Sequence, residues 1–271
     1  MDILSYFNRD DATYATYGIV MFCFKVERKG DFLSEGVDFY RRAFVSDEDL
    51  EEDINEMCGT RRDRIAEYLP SNGNIKSGDF GEILTYLLFS ALFPEYQVKP
   101  LRWRWQEDVN RAVHFTDILW LYCIDPSQPQ LSDKLMAAEV KTRATSPGKE
   151  STINEAIKGM QKDSVTREGL TLAYMKRQYR RDKRYVEARV VERFEKAVAH
   201  PYHCHYNAIA IVDSSHLEPN HIAYLDKKLT VEIADWNMAN AANHKRMSVF
   251  VVPVTALKQL YEDMYQNVLN S

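Results

Sequence analysis

The distribution of apolar and polar positions along the chain predicts alternating strands and helices. Residues 17–27 (YGIVMFCFKVE) are dense in β-branched and aromatic side chains and predict a strand. Residues 46–58 open on Ser46 and continue with acids, a capping residue followed by negative charge in the first turn, which predicts a helix. Pro70-Ser71-Asn72-Gly73-Asn74 is a loop signal and divides an N-terminal extension, 1–70, from a larger unit, 71–271. Beyond the loop, an almost wholly apolar helix is expected over 79–93, stopped by Pro94. Strands are expected over 96–105, 115–124 and 134–143, then a helix at about 150–164 and a long charged helix, or a pair, across 168–199. Strands over 206–213 and 247–254 and a C-terminal helix complete the pattern. From residue 79 the order is helix, three strands, helix and later strand, which is an α/β arrangement.

Composition narrows the class. With 271 residues, 45% hydrophobic and 28% charged, the chain has the make-up of a globular protein and the length for one large core or two small ones. Its longest apolar stretch, 83–93, falls short of the ~20 residues that cross a bilayer. The opening Met1-Asp2-Ile3 has no basic or apolar leader. Cys23, Cys58, Cys123 and Cys204 are scattered with no CxxC pair, so a reducing, cytoplasmic setting without membrane contact is expected. There is no phosphate-binding loop for ATP and no GxSxG esterase elbow.

A net charge of −5 argues against wholesale adhesion to nucleic acid and makes any such binding depend on a local patch. Segment 176–184 offers one: Lys176, Arg177, Arg180, Arg181, Lys183 and Arg184 stand against Asp182 alone. An acidic counterpart runs from Asp47 to Glu56. Either segment also reads as a solvated helix face. Trp103 and Trp105, interleaved with Arg102 and Arg104, suit base stacking or, more often for such a pattern, a strand face packed on the core. His200, His203, Cys204 and His205 match no familiar zinc spacing.

The candidate chemistry centres on Glu139-Val140-Lys141. On a strand, i and i+2 share a face, so Glu139 and Lys141 project together from the end of the apolar run Leu135-Met136-Ala137-Ala138. Burying a carboxylate and an ammonium there is costly unless a metal ion and a phosphate compensate. Asp117, at the head of another apolar strand, supplies a second carboxylate, and a hard cation such as Mg²⁺ or Mn²⁺ needs little more than two carboxylates, the Val140 carbonyl and water. Lys141 would then orient or deprotonate the attacking water, or stabilise charge on the phosphorus. Glu82 is the lone acid among Ile83, Leu84, Tyr86, Leu87, Leu88 and Phe89. Each residue has a plainer reading: Glu139–Lys141 as a solvated pair on an edge strand, Asp117 as a turn residue, and Asp79 with Glu82 as a capping box.

Helix with Glu82, strand with Asp117 and strand with Glu139-x-Lys141, in that order, resembles the PD-(D/E)xK nuclease superfamily over roughly 77–215. Over its full length the chain resembles the HamA family of Hachiman anti-phage defence, through Gly78-Asp79-Phe80-Gly81-Glu82, His114-Phe115-Thr116-Asp117 and Ala138-Glu139-Val140-Lys141-Thr142. No Pro precedes Asp117, a position that varies widely in the superfamily. The resemblance implies a restriction-endonuclease-like PD-(D/E)xK core, a mixed sheet flanked by helices, with an N-terminal extension suited to partner docking. It implies a metal-dependent DNase with Glu82, Asp117, Glu139 and Lys141 as catalytic residues, and Asp117, Glu139, Val140 and Glu82 at the metal. It also implies restraint by a HamB-like superfamily 2 helicase, with release on infection or DNA damage. Arg143, Lys158, Lys162, Arg180, Arg181 and Arg184 are the expected DNA contacts. The rival readings are an inactive nuclease-fold adaptor on a helicase and a stand-alone restriction-type endonuclease.

Overall fold

A computed structural model describes residues 1–15, 18–111, 115–145, 151–217 and 227–271, with the side chains of 227–232 left out. His114, residue 17 of the first expected strand and residue 150 of the helix expected after the Glu139 strand lie outside the described residues. Among the described residues six strands form one mixed sheet: β1 (Phe7–Asp10), β2 (Ile19–Phe24), β3 (Ile118–Tyr122), β4 (Lys134–Arg143), β5 (His203–Asp213) and β6 (Lys245–Val254), in the order β1-β2-β6-β5-β4-β3. The four central strands run parallel, while β1 and β3 pair antiparallel at the two edges. The interior strands are buried on both faces, which is why β5 reads as a nearly unbroken apolar run.

One face of the sheet is covered by α1 (Lys29–Phe44), α4 (Gly73–Leu92) and α9 (Leu257–Leu269), whose buried residues share a core with Ile118, Ala138, Val140 and Ile209. The other carries α5 (Thr152–Lys162), α6 (Glu168–Arg181) and α7 (Tyr185–Phe194), packed on Leu119, Ala137, Ala208 and Val249. A further helix, α8 (Lys227–Asn240), adjoins β6 through Asn237, whose Oδ1 accepts from the Met247 amide at 2.7 Å, and adds Ile233 and Trp236 to that second core. The short α2 (Asp47–Glu56) and α3 (Arg61–Tyr68) lie between α1 and α4 in the chain. Ser46 caps α2 by accepting from the Asp49 amide at 3.0 Å, and Thr60 with Asp63 forms a capping box on α3.

The loop at 70–72 separates α3 from α4, yet the residues before it are part of the same sheet: β2 pairs with β6 through Ile19↔Val249, Val20↔Phe250 and Met21↔Val251. Helix α4 starts six residues earlier than the apolar pattern suggested, capped by Asn72, so Asp79 and Glu82 sit in mid-helix and form no capping box. The strand expected over 96–105 reduces to one bridge, Val98↔Leu121, followed by a 3-10 turn at Arg102–Trp105. Pro100 has no amide to donate and a fixed φ, which ends strand pairing there. In that turn Trp103 and Trp105 enter opposite cores instead of sharing a face, and both are buried, so neither is free to stack on a base.

Candidate functional site

Antiparallel pairing brings the start of β3 to the carboxyl-terminal half of β4. The register Ile118↔Ala138 puts Asp117, one residue earlier, beside Glu139. Asp117 is fixed there because its Oδ2 accepts from the Val140 amide at 2.8 Å. Alternation along β4 sends Val140 into the core under α4 and turns Glu139 and Lys141 toward α5. Lys141 Nζ lies 2.5 Å from Glu139 Oε1.

Two close approaches shape the site. A Cβ on Gly81 of α4 would lie 2.0 Å from Thr142 Oγ1, and one on Gly159 of α5 would lie 2.6 Å from both Cγ and Oε1 of Glu139. Only glycine lets the two helices descend this far onto β4.

Arg102 holds the α4 side of the centre. Its guanidinium pairs with Glu82 and, at 3.2 Å, with Asp117 Oδ1. Glu82 is therefore committed to an arginine that the sequence pattern groups with Trp103 and Trp105 on a strand and does not link to the acids. Its signal was available only in retrospect: a cation in a Trp-rich segment, with buried acids upstream and downstream that need a partner. Two more residues were also missed. Asp163 and Arg167 follow α5; Arg167 Nη1 lies 3.0 Å from Asp163 Oδ1 and 3.9 Å from Glu139 Oε2.

Five acids, Asp79, Glu82, Asp117, Glu139 and Asp163, thus gather around three cations, Arg102, Lys141 and Arg167, among the described residues. Burial sets the protonation of the group. Asp117 is pushed up to about 6 by burial first and by the Glu139 charge second, against Arg102 and Lys141. Asp79 is pushed up to about 7 by burial, with Arg102 opposing and Asp117 adding to the rise. Glu82, Glu139 and Asp163 are all raised, in each case chiefly by burial. Burial lowers Lys141, but the Glu139 and Asp117 carboxylates outweigh it and its net shift is upward, so the ammonium stays protonated.

Among the described residues, no three His, Cys, Asp or Glu side chains converge as a ready metal cage. Mg²⁺ does not require one, since it keeps several waters and takes one or two carboxylates. The donor set fits that need. Asp117 and Glu139 are adjacent hard oxygen donors, and Glu139 Oε2 and Asp163 Oδ2 are buried without a hydrogen-bond donor. A divalent cation would offset the excess of carboxylates.

The expected DNA contacts are dispersed. Arg143 pairs with Glu155 at 2.7 Å beside the centre, and Lys158 and Lys162 are exposed on α5. Arg180, Arg181 and Arg184 are exposed at the far end of α6 and the turn after it, Arg184 pairing with Glu187 at 2.6 Å. Thirteen residues separate Arg180 from Arg167, about 20 Å along a helix.

Sheet and centre together define a mixed α/β protein, six strands flanked by helices, with a buried carboxylate–cation cluster where β3 and β4 meet. No helix among the described residues is long and apolar enough to cross a membrane. The chain belongs to the HamA family: the family model described as HamA matches residues 3–268. Membership ties it to Hachiman defence. No curated protein matches it.

Proposed function

We propose that this chain is the nuclease of a Hachiman complex, a Mg²⁺- or Mn²⁺-dependent enzyme that hydrolyses DNA phosphodiesters on a PD-(D/E)xK core. The observation that carries the reading is the convergence of Asp117, Glu139 and Lys141, from two antiparallel strands, on one point with unsatisfied carboxylate oxygens. Asp117 and Glu139 would hold the ion, with water and the Val140 carbonyl completing its shell. The ion would supply Lewis acidity and a more acidic water. Lys141 is held protonated by its carboxylate neighbours. Its part is to orient the nucleophilic water and to stabilise the charge that builds on the phosphate oxygens. Glu82 acts through Arg102, which tethers it to Asp117 and sets the position of that carboxylate.

Restraint by a HamB-like superfamily 2 helicase, with release on infection or DNA damage, completes the proposal and rests on family membership. The test is to incubate purified chain with plasmid DNA and Mg²⁺, alone and with the helicase encoded beside it plus ATP. Cleavage that EDTA stops, and that Asp117→Ala and Glu139→Ala each abolish while melting temperature holds or rises, is the expected result. EDTA-resistant cleavage, or wild-type rates from either variant, would overturn the assignment.

A further inference from the structure

The roles assigned above leave Asp163 and Arg167 unused. Between α5 and α6 the helix widens into a π turn, Asp163–Arg167. Such turns are rare, weaken the helix locally and concentrate at functional sites. Here the turn buries Asp163 to 1% exposure while Val165, two residues on, is 80% exposed. It directs both Asp163 and Arg167 toward Glu139.

The two carboxyl groups are short of partners. Asp163 Oδ2 and Glu139 Oε2 are buried with no fixed donor, and the Asp163 carboxyl lies within hydrogen-bond reach of the Glu139 carboxyl and the Thr116 side chain. Buried oxygens in that state are costly and call for a ligand, water or ion. Arg167 is placed differently. Its side chain is 26% exposed, so it is accessible from solvent while Nη1 faces the carboxylates. At 3.9 Å from Glu139 Oε2 it lies beyond hydrogen-bond range, so the pair is held by charge alone. The guanidinium has five donors in a planar fork, and Asp163 Oδ1 engages Nη1 at 3.0 Å. Lys141 and Arg167 therefore flank Glu139, one at each carboxylate oxygen.

We propose that Arg167 binds a non-bridging oxygen of a DNA phosphate next to Glu139, and that Asp163 is the positioning residue that aims it. The inference rests on the nuclease reading for the identity of its ligand. A guanidinium at the mouth of an acidic centre lets a phosphate approach carboxylates that would otherwise repel it, and its fork suits two phosphate oxygens as an ammonium does not. Four residues apart, Asp163 and Arg167 share a helix face, and the turn that holds them sets that face against Glu139.

The experiment uses the full chain and a short fluorescent DNA duplex, with Ca²⁺ replacing Mg²⁺ for binding and Mg²⁺ for turnover. Arg167→Ala should weaken duplex binding and flatten the plot of log affinity against log salt by about one unit, the signature of one lost phosphate contact. Arg167→Lys should keep the slope yet turn over at least tenfold more slowly. Asp163→Asn should keep the slope and lower kcat with little change in KM. Should Arg167→Ala fail to fold, Arg167→Gln carries the same measurement. A mere structural ion pair gives another pattern: Arg167→Ala and Asp163→Asn lower melting temperature alike and leave the salt slope intact, which overturns the proposal. Wild type that cuts DNA while Arg167→Ala keeps slope and turnover also overturns it, without touching the nuclease reading. An Arg167-dependent slope in a protein that never cuts DNA would sink that reading and leave the phosphate contact standing.

Discussion

Replacing Gly159 with alanine tests the close approach of α5 to the centre without reference to any activity. The new Cβ would stand 2.6 Å from Glu139 Cγ and Oε1 and 2.8 Å from Cδ, at least half an ångström inside ordinary contact. Glu139 is 3% exposed and tied to Lys141, so relief requires α5 to retreat or the carboxylate to turn off its partner. Overpacking of this kind costs about 1–3 kcal/mol. Against it stands the gain of alanine over glycine in a helix interior, about 1 kcal/mol. In the wild-type background the steric cost wins, and Gly159→Ala should destabilise. Glu139→Ala removes all three obstructing atoms, and in that background the same change should stabilise by about 0.5–1 kcal/mol. Chemical denaturation of the two single variants and the double variant closes the cycle. Equal effects of Gly159→Ala in both backgrounds would show that α5 does not sit against Glu139 as described. Where turnover is measured, Gly159→Ala should lose about 10²-fold, because a displacement near 1 Å at the reacting centre costs that much.

Further expectations follow from charge. Asp79 is raised in the folded state to about 7 from 3.8, so the native chain binds the extra proton between those values. Its contribution to stability is complete below about pH 4 and is lost as pH rises through 7; Asp79→Asn should match wild type near pH 4 and exceed it at pH 8, by up to about 4 kcal/mol, in thermal melts without divalent cation. A variant no more stable than wild type at pH 8 would contradict this. Arg102→Ala strands two buried carboxylates and should cost about 3–5 kcal/mol at pH 8, less at pH 5 where they take up protons; a pH-independent loss would mean the guanidinium acts by packing. Arg180, Arg181 and Arg184 changed together to Glu should flatten the salt dependence of duplex binding by about one unit per lost phosphate contact while metal binding persists; an unchanged slope would place the DNA elsewhere.

The parts of the centre that were legible from sequence obey strand periodicity. Ile118–Tyr122 and Lys134–Arg143 are apolar runs with charge at one end, so Asp117 and Glu139-x-Lys141 stood out. Arg102 did not, because alternating Trp and Arg imitates a strand, and only the tertiary structure turns that segment into a 3-10 turn. Asp163 and Arg167 read as an ordinary opposite-charge pair on a helix surface, since a π turn has no sequence signature of its own. Helix α1 was overlooked because Gly30 and Gly36 depress its propensity; Gly36 is there for contact, as its Cβ would meet Met264 Cε at 2.9 Å. Strand β1, four residues long, is too short to show alternation.

The pairing of β2 with β6 has a bearing on how the chain is made. Residues 19–21 cannot find their partners, 249–251, until more than two hundred further residues have left the ribosome. Because β6 lies between β2 and β5, a nascent chain lacking it holds two separate fragments, the β1–β2 hairpin and the β5-β4-β3 ribbon, each with a bare edge where β6 belongs. Such long-range closure is slow. Every residue of the acidic centre is translated well before that step, so the centre waits on β6 for its sheet to be sealed.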